Sequence, residues 1–574
     1  MGPWYEDPVG AEIVRRKYLH EGERDFGDAV ERISACFDGG LREKIRVALL
    51  NADFFPGGRS LFALGCKGKF KATTSNCYVL PSPADSLDSI FEVGKQMAVI
   101  FSQGGGCGVN VSRLRPQGAR VRNASRTSTG AVSFVSFYDK IASLINQNGR
   151  RGALLVGLAC DHPDLEEFLK VKQNDDRIQS ANISILFDDT FMKAVALGAK
   201  YRLRFNVDST GERIARELDA ADFFRRFGDS NRDYAEPGAI FIDRVRSWNL
   251  LSADPEYRIE VANPCGEFFG NAYSACNLGS LNIYSLIGRP FTEQAELDAD
   301  LLRERVAMAV EALDAIIDYG CELQPLAENR RNVQDYRQIG LGVFGLADAL
   351  IALGIRYGGP TAISFCGRLF REIFLQALRT SNRLAREKGA FPSCRPDLLA
   401  RAPILQFLQS AESNLLADIR RFGLRNASLL SVAPTGSIST MCGYSGGAEP
   451  LYGLAYQRTT HSLARQGKLF PVFARSVRDL MRKRGMEKAA AESLRQEFPY
   501  IVTAHDIDPI ERVRMQAAIQ TYVDNGISST VNLPAGATTE AIMAIYRTAW
   551  QTGCKGITVF VAGSRRTAIL GRSS

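Results

Sequence analysis

This chain predicts an α/β architecture, with a barrel among its forms. Segments with the two-residue period of strands alternate with segments of helical period along most of the sequence. The chain has 574 residues, more than one ordinary core supports unless the fold is a large α/β barrel or carries insertions. A content of 45% hydrophobic and 23% charged residues is that of a soluble globular enzyme, which excludes fibrous and disordered classes.

The first elements are helical. Phe26 to Phe37 and Leu41 to Asn51 carry apolar residues at helical spacing, and Phe55-Pro56-Gly57-Gly58-Arg59 breaks the pattern. The predicted division is a small N-terminal helical region over 1–66 and one large unit over 67–574, because no later Pro/Gly/Ser-rich linker and no internal repeat interrupts the chain. Asp85-Ser86 caps a helix whose Leu87, Ile90, Phe91, Met97 and Phe101 share a face. Ile183 to Phe187 and Ala427 to Val432 read as strands, the second running into Pro434-Thr435-Gly436-Ser437. Met515, Ala518, Ile519, Tyr522 and Val523 form a helical stripe that stops at Asn525-Gly526. Thr538 or Thr539 caps the next helix, and Ile557 to Val561 reads as a buried strand.

A net charge of +8 is mild at this length and suits anionic substrates such as nucleotides. No dense Lys/Arg block marks direct nucleic-acid binding. The acidic, aromatic start is unlike a signal peptide, and no apolar run is long enough for a membrane span. Twelve cysteines without a disulfide-framework spacing point to the reducing cytoplasm, where a functional disulfide is transient.

The most informative segment is Asn263-Pro264-Cys265-Gly266-Glu267, followed closely by Cys276. In an extended segment the amide, thiol and carboxylate at alternate positions would project from one face. That inventory suits chemistry combining proton transfer with sulfur redox. A turn with a buried cysteine is the bland alternative. A zinc site is disfavoured, since no Cys-x-x-Cys or His-x-x-x-His pair occurs, and no metal is expected. Pro434-Thr435-Gly436-Ser437 offers hydroxyls and backbone N–H groups to a phosphate, or is a capped turn. Gly104-Gly105-Gly106-Cys107-Gly108 permits close approach of a ligand or of another strand.

Together these segments resemble the catalytic subunit of ribonucleotide reductase, in the family's order from about Ile13 to Arg566. Thr74-Ser75-Asn76-Cys77-Tyr78 is similar to the family's first redox-cysteine segment. Asp85 to Ile90 resembles the start of its effector-binding helix, and Arg113 to Gly118 the basic segment that follows. Asn148-Gly149-Arg150-Arg151-Gly152-Ala153 resembles its specificity loop. Asn263 to Glu267, Ser274 to Ser280, Arg337 to Gly342 and Ala433 to Ser437 complete the match. The Asn-Pro-Cys-Gly-Glu segment and Gly553-Cys554-Lys555-Gly556-Ile557-Thr558-Val559 are most similar to class II, which uses adenosylcobalamin.

The resemblance implies a ten-stranded α/β barrel with a central finger loop. It implies reduction of ribonucleotides, diphosphates first among them, to deoxyribonucleotides. Cys265 would carry the radical, Glu267 would accept the 3′-OH proton and Asn263 would hold the hydroxyls. Cys77 and Cys276 would supply two electrons and end as a disulfide. Pro434, Thr435, Gly436 and Ser437 would bind substrate phosphates, and Asn148, Arg150 and Arg151 would couple effector to substrate. Asp85, Ser86 and Arg115 would bind a deoxynucleotide or ATP effector; their bland alternative is an N-cap with a solvated charge. A homodimer is implied, with Leu87, Ile90, Phe91 and Met97 against the twofold mate or, alternatively, against the subunit's own core. An external dithiol, thioredoxin or a relay partner chain, would reset the cysteine pair, because no C-terminal cysteine pair precedes Ser574.

The sequence departs from the pattern at Ser529, where a basic residue is usual, and at Val561-Ala562, where a more polar pair is usual. A class I catalytic subunit, fed by a separate radical-supplying protein, would need a tyrosine pair near the C-terminus, and no Tyr-Tyr occurs. A truncated or non-catalytic nucleotide-binding paralogue is the other alternative. The complete set Cys77, Asn263, Cys265, Glu267 and Cys276 weighs against lost chemistry.

Overall fold

The computed structural model describes residues 4–147, 150–173, 178–458, 470–486, 493–564 and 570–572. Nine strands and one irregular extended segment make up its centre. They are β1 (Cys77–Val79), β2 (Gly106–Asn110), β3 (Leu154–Ala159), β4 (Ala181–Phe187), β5 (Gly238–Phe241), β6 (Ala275–Asn282), β7 (Ile339–Phe344), β8 (Thr530–Leu533) and β9 (Gly556–Val561), with segment 428–432 between β7 and β8 in sequence.

Strands β1 to β5 pair side by side in chain order, all parallel. Strands β6 and β7 are parallel neighbours, as are β8 and β9. Segment 428–432 joins these two pairs through parallel bridges, Leu341 to Leu430 and Val432 to Ile527. The bridges are hydrogen-bonded: Leu341 N donates to Leu429 O at 2.8 Å, and Val432 N donates to Gly526 O at 3.0 Å. The two five-membered parallel halves meet antiparallel at both seams, β1 with β6 and β5 with β9. The ring is therefore closed, the ten-stranded barrel expected from the sequence. Closure removes the free edges that an open sheet would expose.

Most of the strands are buried on both faces, while β8 and β9 alternate buried with half-buried residues. One large apolar cluster lies between strands and surrounding helices, and a smaller one fills the inside. The inner cluster gathers Cys77 and Val79 from β1, Leu155 from β3, Leu186 from β4, Ile240 from β5, and Cys276 and Leu278 from β6, around Val261, Ala262, Phe268 and Phe269. Those last four belong to a hairpin, Val261–Ala262 with Phe269–Gly270, that enters the barrel. Glycine permits the entry. A Cβ on Gly108 of β2 would collide with the carbonyl oxygen of Ala262, so the glycine-rich run admits another backbone rather than a ligand.

Helices α1 (Pro8–Lys17), α2 (Phe26–Ser34) and α3 (Gly39–Leu50) precede the barrel. Asp7 and Asp25 cap the first two through their carboxylates. Trp4, Ile13, Phe26 and Phe55 belong to the same large cluster as the barrel's Val343 and Phe344. Helix α4 (Leu87–Ser102) is capped by Ser86, whose Oγ accepts from Ser89 N at 3.3 Å. It packs on α5 (Ala131–Leu144). Here the expected helix face is divided: Ile90 and Met97 are buried in the subunit's own core, while Leu87 and Phe91 are 59% and 54% exposed. Among the described residues no helix is long and apolar enough to cross a membrane.

Candidate active site

Asn263 to Glu267 do not form the extended segment their alternation suggests. They form the tight turn at the tip of the hairpin inside the barrel. Asn263 N donates to Phe268 O at 2.8 Å, Phe268 N donates to Asn263 Oδ1 at 3.0 Å, and Gly266 N donates to Asn263 O at 3.1 Å. Gly266 has φ +76°, the left-handed region that glycine occupies without strain. The turn separates environments that a pleat would have merged. Asn263 and Glu267 are buried, and Cys265 between them is exposed.

Both buried side chains keep an atom in reserve. Asn263 Nδ2, a donor, and Glu267 Oε2, an acceptor, have no hydrogen-bond partner. Leaving buried polar atoms unpaired costs about 1–3 kcal/mol each, and this donor and acceptor are available to a hydroxyl-bearing ligand. Burial pushes the Glu267 carboxyl up to about 7, the range of a general base at neutral pH.

Cys77 and Cys276 are brought together as the sequence analysis expected. They stand directly opposite in the antiparallel seam between β1 and β6. Directly opposed residues have Cα atoms about 4.5–5.5 Å apart, inside disulfide range. Both are free thiols and both are buried. Burial and then the Glu267 carboxylate push Cys77 up to about 12. The same two causes, followed by the neighbouring thiols of Cys77 and Cys265, raise Cys276. Both therefore stay protonated at neutral pH. The mutual influence of Glu267, Cys77, Cys265 and Cys276 places all four in one electrostatic neighbourhood.

Remote residues hold the finger in place, a role that no local sequence pattern announces. Ser431 Oγ and Gly526 N donate to Glu267 O at 2.7 and 2.8 Å. Asn525 clamps the base of the hairpin, its Oδ1 accepting from Phe269 N at 2.6 Å and its Nδ2 donating to Phe269 O at 3.3 Å. Lys555 Nζ, buried below, donates to Asp524 O and Asn525 O at 2.6 and 2.7 Å. The Asp524 carboxylate in turn accepts from Leu429 N and Leu430 N. Burial lowers Lys555 and raises Asp524. The finger is thus fastened to segment 428–432 and to the approach to β8, the two stretches that complete the ring.

Pro434 to Ser437 follow segment 428–432 directly, and Ala433 lies in the inner cluster with Cys77 and Cys276. Thr435 adopts φ +52° and Gly436 opens helix α6 (Gly436–Cys442). Thr435 Oγ1 accepts from Gly447 N at 2.9 Å, and Ser437 Oγ accepts from Lys17 Nζ at 2.6 Å.

The remaining site candidates sit apart from the finger. Asp85 accepts from Arg115 through Nε at 2.8 Å and through the backbone N at 3.1 Å, and Arg115 also reaches Ser209 Oγ. The three candidates thus form an N-cap, Ser86, beside an internal ion pair. Arg150 and Arg151 form a two-residue strand with Asn146–Gln147, and Asn148 lies outside the described residues.

A ten-stranded α/β barrel with a finger loop inside is the arrangement that the sequence resemblance implied; the two parallel halves and the cross-strand placement of Cys77 and Cys276 come from the structure. The family model of the ribonucleotide reductase barrel domain matches residues 75–560. The chain belongs to the ribonucleotide reductase family. It is 34% identical to a vitamin B12-dependent ribonucleoside-diphosphate reductase of Mycobacterium tuberculosis (strain CDC 1551 / Oshkosh), over 97% of this chain and 80% of that protein. It is 31% identical to the protein of the same name from Thermoplasma acidophilum, over 98% of this chain and 71% of that protein. A vitamin B12-dependent ribonucleotide reductase of Streptomyces coelicolor is 28% identical over 85% of this chain and 56% of that protein.

Proposed function

We propose that this chain is an adenosylcobalamin-dependent ribonucleoside-diphosphate reductase that makes 2′-deoxyribonucleotides for DNA synthesis. The observation that carries the reading is the cross-strand pair Cys77–Cys276 in the electrostatic neighbourhood of a finger bearing an exposed Cys265 and a buried, half-partnered Glu267. The names of the similar proteins from Mycobacterium tuberculosis and Thermoplasma acidophilum support the cofactor and the diphosphate substrate. The fingertip is open to a cofactor: Cys265 is exposed, and no atom stands within 4 Å of where a Cβ on Gly266 would point. Adenosylcobalamin, when bound, supplies the hydrogen-atom acceptor that a thiol needs to become a radical.

The chain's own residues do the rest. The Cys265 sulfur, having lost its hydrogen atom, takes the hydrogen atom from C3′ of the ribose. Glu267 accepts the 3′-OH proton, while Asn263 Nδ2 holds the hydroxyls. A thiol of the Cys77–Cys276 pair protonates the 2′-oxygen, which leaves as water. The pair then gives two electrons and its second hydrogen to the sugar, Glu267 returns its proton to the 3′-oxygen, and a Cys77–Cys276 disulfide forms. Cys265 finally returns its hydrogen atom to C3′. The balance is one C2′–OH and two thiols consumed, and one C2′–H, one water and one disulfide formed. An external dithiol, thioredoxin or a relay partner chain, resets the pair by exchange.

A single turnover tests this reading. Prereduced protein is incubated with CDP and adenosylcobalamin, without reductant, and digested under thiol-blocking conditions. Peptide mapping should find one Cys77–Cys276 cross-link per dCDP formed, and added dithiothreitol should restore both thiols. Product with both thiols still free would refute the pair.

The same proposal places a deoxynucleotide or ATP effector at a twofold interface made by α4 and α5, beside Asp85, Ser86 and Arg115, with Asn148, Arg150 and Arg151 relaying to the substrate. Exposed Leu87, Phe91 and Leu144 support that interface, with Phe91 against Phe137 at a centroid distance of 4.8 Å. Effector should drive the wild-type protein to dimers in sedimentation, and Phe91→Asp should hold it monomeric. A wild type that stays monomeric with saturating dATP or ATP sinks the interface.

A further inference from the structure

We infer that Lys17, from the N-terminal helix α1, is the cation of the substrate-phosphate site. The inference rests on the reading of Pro434 to Ser437 as the phosphate loop and adds the charge which that loop lacks. From Ala433 to Thr440 the chain carries hydroxyls and backbone N–H groups but no lysine or arginine. Neutral donors alone leave a polyanionic diphosphate without a counter-charge, and a positive side chain in the first shell is the usual remedy.

Lys17 meets that need by geometry. Its Nζ donates to Ser437 Oγ at 2.6 Å across 420 residues of sequence. The contact is built by the packing of α1 on α6. A Cβ on Gly10 would stand 2.5 Å from Met441 O, so only glycine allows this approach of the two helices. Asp7, the N-cap of α1, is paired with Arg478 at 3.0 Å, which ties the other end of the helix to the barrel unit. The three basic residues of the last turn are used differently. Arg15 and Arg16 pair with Glu12 on their own helix, and Lys17 is half-buried and reaches the loop. A residue that only closed the helix by favouring its C-terminal dipole would have no reason to cross to another element.

With a diphosphate present, the Lys17 ammonium keeps Ser437 oriented and faces the phosphate oxygens together with the N–H groups that open α6. The N-terminal helical region then supplies a ligand to the substrate site.

The test is binding of CDP to the full-length protein by equilibrium dialysis, with cytidine as the uncharged control. Lys17→Ala should weaken CDP binding about tenfold, the loss expected for one charge-assisted hydrogen bond, and leave cytidine competition unchanged. Lys17→Arg should recover most of the loss, and Arg15→Ala should bind both ligands as the wild type does. A weakening shared equally by CDP and cytidine overturns the inference, since it marks a packing defect rather than a lost charge. CDP binding unchanged in Lys17→Ala but weakened in Ser437→Ala also overturns it while keeping the phosphate loop. CDP binding unchanged in both variants removes the phosphate-loop reading, and the inference with it.

Discussion

Replacing Cys265 with serine is expected to abolish deoxynucleotide formation while leaving CDP binding intact. The exchange is nearly isosteric at an exposed turn position, so folding and the two flanking buried side chains should be preserved. The chemistry is lost because an O–H bond is too strong to be broken and remade as the S–H bond is. The rate should fall by at least about four orders of magnitude, a loss of about 5 kcal/mol in transition-state stabilisation. The assay is dCDP formation by protein shown to be folded and to bind CDP. Measurable turnover by such a variant would overturn the assignment of Cys265.

Glu267→Gln should give the second largest loss. It keeps the shape of the side chain and its place in the turn but removes the base, which is worth about 10²–10⁴ in rate. The wild type should also carry the signature of this group. Its carboxyl is pushed up to about 7 by burial, so the active carboxylate form declines as the pH falls below about 7. Wild-type kcat/KM should therefore drop about tenfold per pH unit on the acid side. The pair Cys77 and Cys276 should not contribute there, because burial pushes Cys77 up to about 12 and raises Cys276 as well. A flat profile between pH 5.5 and 8, or an acid limb that survives in Glu267→Gln, rules out Glu267 as the base.

The sequence carried much of the fold and the core of the site, for different physical reasons. Apolar periodicity and capping residues located Phe26–Ser34, Leu87–Ser102, Thr539–Gln551 and Gly556–Val561, because local burial and local hydrogen bonds decide those elements. The stretch from Ala427 to Val432 was legible as extended, but its part in closing the ring was not. It joins its neighbours by single bridges that depend on close approach to the glycines of β7. The finger residues were legible by type and misplaced by shape. Alternation suggested one shared face, whereas the left-handed Gly266 bends the chain and exposes Cys265 alone. Ser431, Asn525 and Lys555 fell in segments the sequence singled out, but their hold on the finger was not legible, because each acts on it across a long stretch of chain. Lys17 gave no signal, because its partner Ser437 lies 420 residues away. The helix face of Leu87, Ile90, Phe91 and Met97 read as one surface, although the companion helix α5 covers half of it.

The antiparallel seam between β1 and β6 has a mechanical side. Cys77 opens the first half-barrel and Cys276 lies at the start of the second, so the disulfide proposed for each turnover would be a rivet between two halves of one wall. It closes a loop of about 200 residues, which on chain-entropy grounds is worth about 5 kcal/mol against unfolding. The opposite seam, β5 against β9, has no cysteine on either strand. On that proposal each catalytic cycle would alternate the wall between a riveted and an unriveted state along one line only. The spent form is the harder of the two to unfold, and the reductant that readies the molecule for its next substrate also loosens it.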